Sequence, residues 1–93
     1  MSAEKYSWLW DVDMDAASFQ RTLAGQERSD FFDQQWALIR LIEYAPYADI
    51  LRLLPRQAFV NLWPQIEGRI RSATRREGMA FVRERLLARG EAA

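Results

Sequence analysis

Residues 31–66 read FFDQQWALIRLIEYAPYADILRLLPRQAFVNLWPQI, and their apolar side chains recur at helical spacing. The i, i+3, i+4, i+7 pattern of an amphipathic helix is clearest in Tyr47, Ile50, Leu51 and Leu54. Pro46 and Pro55 suit the first turns of helices that begin beside them. Pro64 lacks a backbone donor inside the next apolar stripe, so we expect a kink or break near Trp63.

Helical signals continue on both sides of this stretch. Asp13 or Asp15 can cap a short helix over residues 16–24, which stops at Gly25. Ser29 or Asp30 can open the longest helix, which runs to about Tyr44. A capping-box pattern at residues 74–77, Thr-Arg-Arg-Glu, predicts a last helix that ends at Gly90.

These signals predict an all-α fold in a single domain over residues 1–93. Residues 6–13 alternate apolar and other side chains, but no second strand candidate pairs with them. We therefore expect an N-terminal extended arm over residues 1–13. The helical body over residues 14–90 is predicted to be a compact bundle of five or six short helices.

The composition argues against an enzyme. The chain has no His and no Cys, so the commonest general base, the cysteine nucleophile and the usual transition-metal ligands are missing. We expect no catalytic residues, no metal and no cofactor. Asp11, Asp13 and Asp15 leave two interpretations open, a hard-cation site or the capping of the first helix, and their spacing does not fit a calcium-binding EF-hand loop.

The net charge of zero hides two opposite halves. Residues 1–46 carry eight acidic and four basic residues, and residues 47–93 carry five acidic and nine basic residues. The halves can be satisfied within the fold, by a second copy or by a charged partner. A homodimer therefore stays among the expectations.

Tryptophans in the predicted arm suggest a surface for a protein partner. Trp is enriched at the energetic centres of protein interfaces, and carboxylates can pair with a basic partner. The predicted partner-binding residues are Trp8, Trp10, Asp11 and Asp13.

A DNA-binding regulator is the alternative. Residues 46–63 could form a helix-turn-helix-like pair, because two helical patterns flank a tight turn at Pro55-Arg56. Arginine suits guanine and phosphate, and asparagine suits adenine. The residues assigned to nucleic acid in this alternative are Arg56, Asn61, Arg69, Arg75 and Arg76.

No apolar run approaches the length of about 20 residues that a spanning helix needs. The first residues are not followed by the apolar segment of a secretory signal. We therefore expect no membrane partner and a cytoplasmic location.

Several short motifs resemble those of a group of small prokaryotic helical proteins that open with a Trp-Asp-Val-Asp arm. They are Leu9-Trp10-Asp11-Val12-Asp13, Arg40-Leu41-Ile42-Glu43-Tyr44, Ala48-Asp49-Ile50 and the stretch 55–71. The resemblance would cover the chain from Leu9 to about Leu87, although Ala45-Pro46 stands where the group has glycine. Such proteins are often encoded beside nucleotidyltransferase toxins of the abortive-infection type. The resemblance thus implies an antitoxin-like or accessory protein-interaction module, and it carries over no catalytic residue.

Overall fold

The computed structural model describes residues 5–90, and the predicted all-α fold is confirmed there, because every regular element is helical. Within that range, five α-helices and two short 3-10 turns follow one another with brief connections. In chain order they are a 3-10 turn over Ser7–Leu9, α1 over Ala16–Leu23, α2 over Gln34–Tyr44, α3 over Tyr47–Leu53, α4 over Arg56–Ile66, a second 3-10 turn over Glu67–Arg69, and α5 over Ala73–Arg89.

Side-chain caps set the start of three helices. The Asp15 carboxylate accepts a hydrogen bond from the Ser18 backbone N–H at 2.8 Å and begins α1, as one of the two predicted caps. The cap of α2 is Asp33 rather than Ser29 or Asp30, and it accepts from the Trp36 N–H at 2.9 Å.

The last helix also begins at a different cap from the predicted one. The Ser72 hydroxyl accepts from the backbone N–H of Arg75 at 3.2 Å, so α5 starts at Ala73 and Thr74 lies inside its first turn. Gly90 ends α5 with a φ of 71°, a left-handed conformation that glycine adopts without steric cost.

Helix α2 lies at the centre of the packing. It contacts α1, α3, α4 and α5, and α4 packs in turn on α5. Leu38, Leu41 and Ile42 on α2 are fully buried, and they meet Phe19 of α1 and Phe59 of α4 in one core cluster. Burying an apolar side chain of this size contributes about 1.5–3 kcal/mol, so α2 organises the fold.

The N-terminal segment differs from the predicted extended arm in its described part, residues 5–13. A 3-10 turn at Ser7–Leu9 buries Trp8 and Leu9 against the helices. The Trp8 ring stacks on Tyr6 with a centroid distance of 4.7 Å and meets Phe19 edge-on at 4.9 Å. The segment is thus part of the core, because a turn lets successive aromatic side chains reach α1. Residues 1–4 of the predicted arm lie outside the described residues.

Helix α4 continues through Pro64, so the break expected near Trp63 is not present. Proline cannot donate to the carbonyl four residues earlier, which belongs to Val60. Arg83 of α5 supplies the missing donor, because its Nε–H donates to the Val60 carbonyl at 3.0 Å. A side chain from the neighbouring helix therefore satisfies the backbone group that Pro64 leaves open.

None of the helices within residues 5–90 is long and apolar enough to cross a bilayer.

Candidate docking surfaces

Trp8 and Trp10, two of the four predicted partner-binding residues, have opposite environments. Trp8 is 5% exposed, so its ring has almost no surface to offer a partner. Its indole N–H is buried and forms no well-aligned hydrogen bond in the described part of the chain, although it lies close enough to the Asp49 carboxylate to help lower the pKa of that group. Trp10 is 73% exposed and remains available for contact.

Asp11 is paired within its own chain. Its two carboxylate oxygens accept hydrogen bonds from both terminal nitrogens of Arg40, at 2.7 and 3.1 Å. This bidentate contact to Arg40 holds the pKa of the Asp11 carboxyl below its usual range. The Arg40 guanidinium also lies over the Tyr44 ring, at 4.6 Å from the centroid. The carboxylate therefore fastens the N-terminal segment to α2 and is already engaged.

The three closely spaced aspartates have separate surroundings. Asp11 pairs with Arg40, Asp15 caps α1, and Asp13 is exposed. Within residues 5–90 no group of three acidic side chains is arranged to hold a metal ion. Of the two interpretations, a cation site or helix capping, the capping role is the one that Asp15 has.

The residues assigned to nucleic acid divide into two groups. Arg56, Asn61 and Arg69 are exposed. Arg75 instead donates through Nη1 to the carbonyls of Ile42 and Ala45 at 2.7 and 2.8 Å, at the C-terminal end of α2.

Arg76 also donates to a backbone carbonyl, that of Ile70, at 2.7 Å. Arg75 and Arg76 thus bind backbone groups of the fold. The helix pair of this alternative does exist, since α3 and α4 are joined by the two residues Leu54 and Pro55.

A groove between α3 and α5 was not recognised in the sequence. It consists of two adjoining hollows of about 290 and 350 Å³, and Tyr47 lines both. Three large apolar side chains around the groove are exposed to solvent: Tyr47 is 59%, Leu51 49% and Phe81 58% exposed. Clustered exposed apolar surface of this kind marks interaction sites in soluble proteins.

The helical pattern of Tyr47, Ile50, Leu51 and Leu54 was the available signal for the groove. It predicted a helix here without saying which of its apolar residues are buried, and α3 turns only Ile50 fully into the core. Leu51 and Tyr47 flank the same stripe and face the groove. Helix α3 has only seven residues and packs mainly on α2, so its contact face is narrower than its set of apolar residues.

The lining of the groove is basic. Among residues 5–90, four arginines and no acidic residue line the two hollows; the arginines are Arg56, Arg75, Arg85 and Arg89. Arg85 lies over the exposed Phe81 ring at 5.8 Å from its centroid. The surface therefore combines apolar contact area with positive charge.

Comparison of the chain with protein-family models, with curated proteins and with solved structures found no match.

Proposed function

We propose that this protein is a small, non-catalytic protein-interaction module that binds its partner through the groove between α3 and α5. The observation that carries the proposal is the combined exposure of Tyr47, Leu51 and Phe81 around one hollow. Aromatic and large aliphatic side chains that cluster in a pocket supply most of the binding energy in many interfaces. Arginines around them provide complementary charge for the partner.

The proposed partner is the nucleotidyltransferase of an abortive-infection pair, and the proposed role is antitoxin-like or accessory. This part of the proposal rests on the resemblance of the Trp10-Asp11-Val12-Asp13 motif and the helix end at Tyr44. The binding would take place in the cytoplasm. This chain would bind its partner either as a monomer or as a homodimer.

A second surface for the same partner is the N-terminal face that carries Trp10 and Asp13. Trp10 is the observation that favours it, because a tryptophan with 73% of its surface exposed offers a partner a large apolar contact area. Trp8 and Asp11 would hold this segment in place. Trp8 packs in the core, and Asp11 pairs with Arg40.

Co-elution of the chain with the nucleotidyltransferase encoded beside it tests the proposal. We expect one complex in size-exclusion chromatography, and Leu51→Glu should weaken it about tenfold or more, because the change removes an apolar contact and places a charge under the docked partner. Ala17→Glu, on the exposed face of α1, is the matched control and should leave the complex intact. Absence of any complex with the wild-type chain would refute the proposed function.

Trp10→Glu separates the two surfaces in the same experiment. If this change disrupts the complex and Leu51→Glu does not, the docking surface is the N-terminal face and the assignment of the groove is wrong.

DNA binding remains the alternative function. Gln57 and Asn61 are both exposed and lie one turn apart on α4, directly after the short α3–α4 connection. Electrophoretic retardation of duplex DNA that falls steeply with salt would support this function, and no retardation at low salt would eliminate it.

A further inference from the structure

We infer that the groove between α3 and α5 receives an acidic amphipathic helix from the partner protein. This inference rests on the proposed function and deepens it by naming the chemistry of the segment that docks. It follows from the length of the groove, from an open point at Gly78 in one of its two hollows, and from the charge of its lining.

The length of the groove matches a short helix. Its two hollows are lined by α5 from Thr74 at one end to Arg89 at the other, and Tyr47 of α3 belongs to both. Fifteen helical steps at about 1.5 Å each make the α5 wall of the trough about 22 Å long. A partner helix of about four turns would lie along it, in the manner in which amphipathic helices bind grooves between two helices.

Gly78 opens the trough in the hollow at its Thr74 end. Apart from its chain neighbours and the nearby backbone of α5, a Cβ atom added at this position would meet no atom within 4 Å, so the position is open. Gly78 is also inside α5, where glycine weakens a helix relative to alanine. Its absent side chain lets the backbone of a partner approach α5 closely, as small residues do where helices cross.

The apolar side chains stand along the trough on both sides. Tyr47 and Leu51 come from α3, and Phe81 comes from α5, so a helix laid between them would contact both walls. The apolar stripe of an amphipathic helix supplies side chains at i, i+4 and i+7 that fit such spacing.

The charge of the lining selects acidic flanks. Arg85 and Arg89 lie one turn apart on α5 and line the same hollow as Leu51 and Phe81. Because the described part of the chain places no acidic residue in either hollow, a lysine-bearing helix would meet like charge and a glutamate-bearing helix would meet opposite charge.

Two synthetic peptides of about 16 residues test the inference by fluorescence anisotropy. Both carry leucine at helical spacing; one has glutamate on its flanks and the other has lysine. We expect the glutamate peptide to bind at least about tenfold more tightly than the lysine peptide and its affinity to fall as salt is added.

Variants at Gly78 provide the structural control. Gly78→Trp fills the open point and should reduce binding of the glutamate peptide at least about tenfold. Gly78→Ala leaves room for the helix and should bind as the wild type does. If Gly78→Trp fails to show a native circular dichroism spectrum, Arg85→Glu replaces it and should abolish the preference for glutamate over lysine.

Several outcomes would overturn the inference. Equal affinity for both peptides, or an unchanged affinity in Gly78→Trp, would show that the trough does not read an acidic helix. Concentration-dependent dimerisation removed by Gly78→Trp would identify a second copy as the occupant. Binding to vesicles containing phosphatidylserine, with no peptide binding, would identify a lipid surface.

The peptide experiment is independent of the nucleotidyltransferase experiment. Failure of both peptides while the nucleotidyltransferase still co-elutes would refute the acidic helix and leave the proposed function standing. Peptide binding without co-elution would refute the nucleotidyltransferase as the partner and leave the acidic-helix site standing.

Discussion

Trp8 and Trp10 are two positions apart, yet the first is 5% exposed and the second 73% exposed. A strand would place residues i and i+2 on the same side, so alternation could not separate them. The 3-10 turn at Ser7–Leu9 changes the direction of the side chains, and Trp8 enters the core between Tyr6 and Phe19. The sequence showed that aromatic residues cluster here, but which one is buried depends on contacts with α1.

At the same scale, Asp11 links pH to stability. Its folded-state pKa is lowered by Arg40, so the carboxylate contributes stability that is present above its ordinary pKa near 3.8 and is lost as the pH falls through the lowered value. The pKa of Glu27 is lowered in the same way by hydrogen bonds from Ser18 and Arg21. Asp49 is the third such group, because the hydrogen bond from Arg52 lowers the pKa of its carboxyl.

We predict that Asp11→Asn makes unfolding less dependent on pH. In urea titrations, the difference in midpoint between wild type and variant should be largest near pH 5 and above, and it should shrink as the pH falls below about 3.8. Asp13→Asn is the control, because Asp13 is exposed and should leave the pH profile as it is in the wild type. A difference that grows on acidification would contradict the role of the Arg40 contact.

At the scale of elements, Pro64 shows how one helix depends on another. The sequence predicted a kink or break there, because proline removes the donor to the Val60 carbonyl. The structure keeps α4 continuous to Ile66, and the Arg83 side chain of α5 donates to that carbonyl at 3.0 Å. The sequence shows that Pro64 leaves the Val60 carbonyl without its helical donor. The donor that replaces it is Arg83, which is 23 positions from Val60 along the chain.

A double-mutant cycle can measure this repair. Arg83→Met should destabilise the fold by about 1–2 kcal/mol, because it leaves the carbonyl of the buried Val60 without its donor. In a Pro64→Ala background the same change should cost less, since the backbone N–H restored at position 64 then donates to the Val60 carbonyl. Urea unfolding of the four proteins gives the coupling, which we expect at about 0.5–1 kcal/mol. Purely additive effects would show that Arg83 acts through something other than Val60.

At the scale of the whole molecule, ion pairs form inside each of the two oppositely charged halves. Among the described residues, the ion pairs Arg21–Glu27, Arg40–Asp11 and Arg52–Asp49 each lie within one half. The basic half instead reaches the acidic half through neutral backbone groups, as Arg75 of α5 does at the carbonyls that end α2. Helix C-termini favour cations, so the arginine binds where the dipole of α2 is negative.

We predict that Arg75→Met destabilises the protein by about 2 kcal/mol, because two carbonyls lose a charged donor. Arg69→Met, on an exposed arginine that the same nucleic-acid alternative invoked, should change the free energy of unfolding by less than about 0.5 kcal/mol. Chemical denaturation of both variants makes the comparison. Equal effects would mean that Arg75 does not anchor α5 to α2.

The sequence by itself determined the helical class, the positions of most helices, the ends at Gly25 and Gly90 and the absence of histidine and cysteine chemistry, because these follow from local periodicity, backbone preference and residue type. Tertiary structure alone decided that Trp8 is core and Trp10 surface, that Arg75 and Arg83 serve backbone carbonyls, and that α3 and α5 leave a basic apolar groove between them. Each of these features depends on which other helix packs against a given helix face. The helical repeat shows which residues share a face, but it does not identify the element that packs on that face.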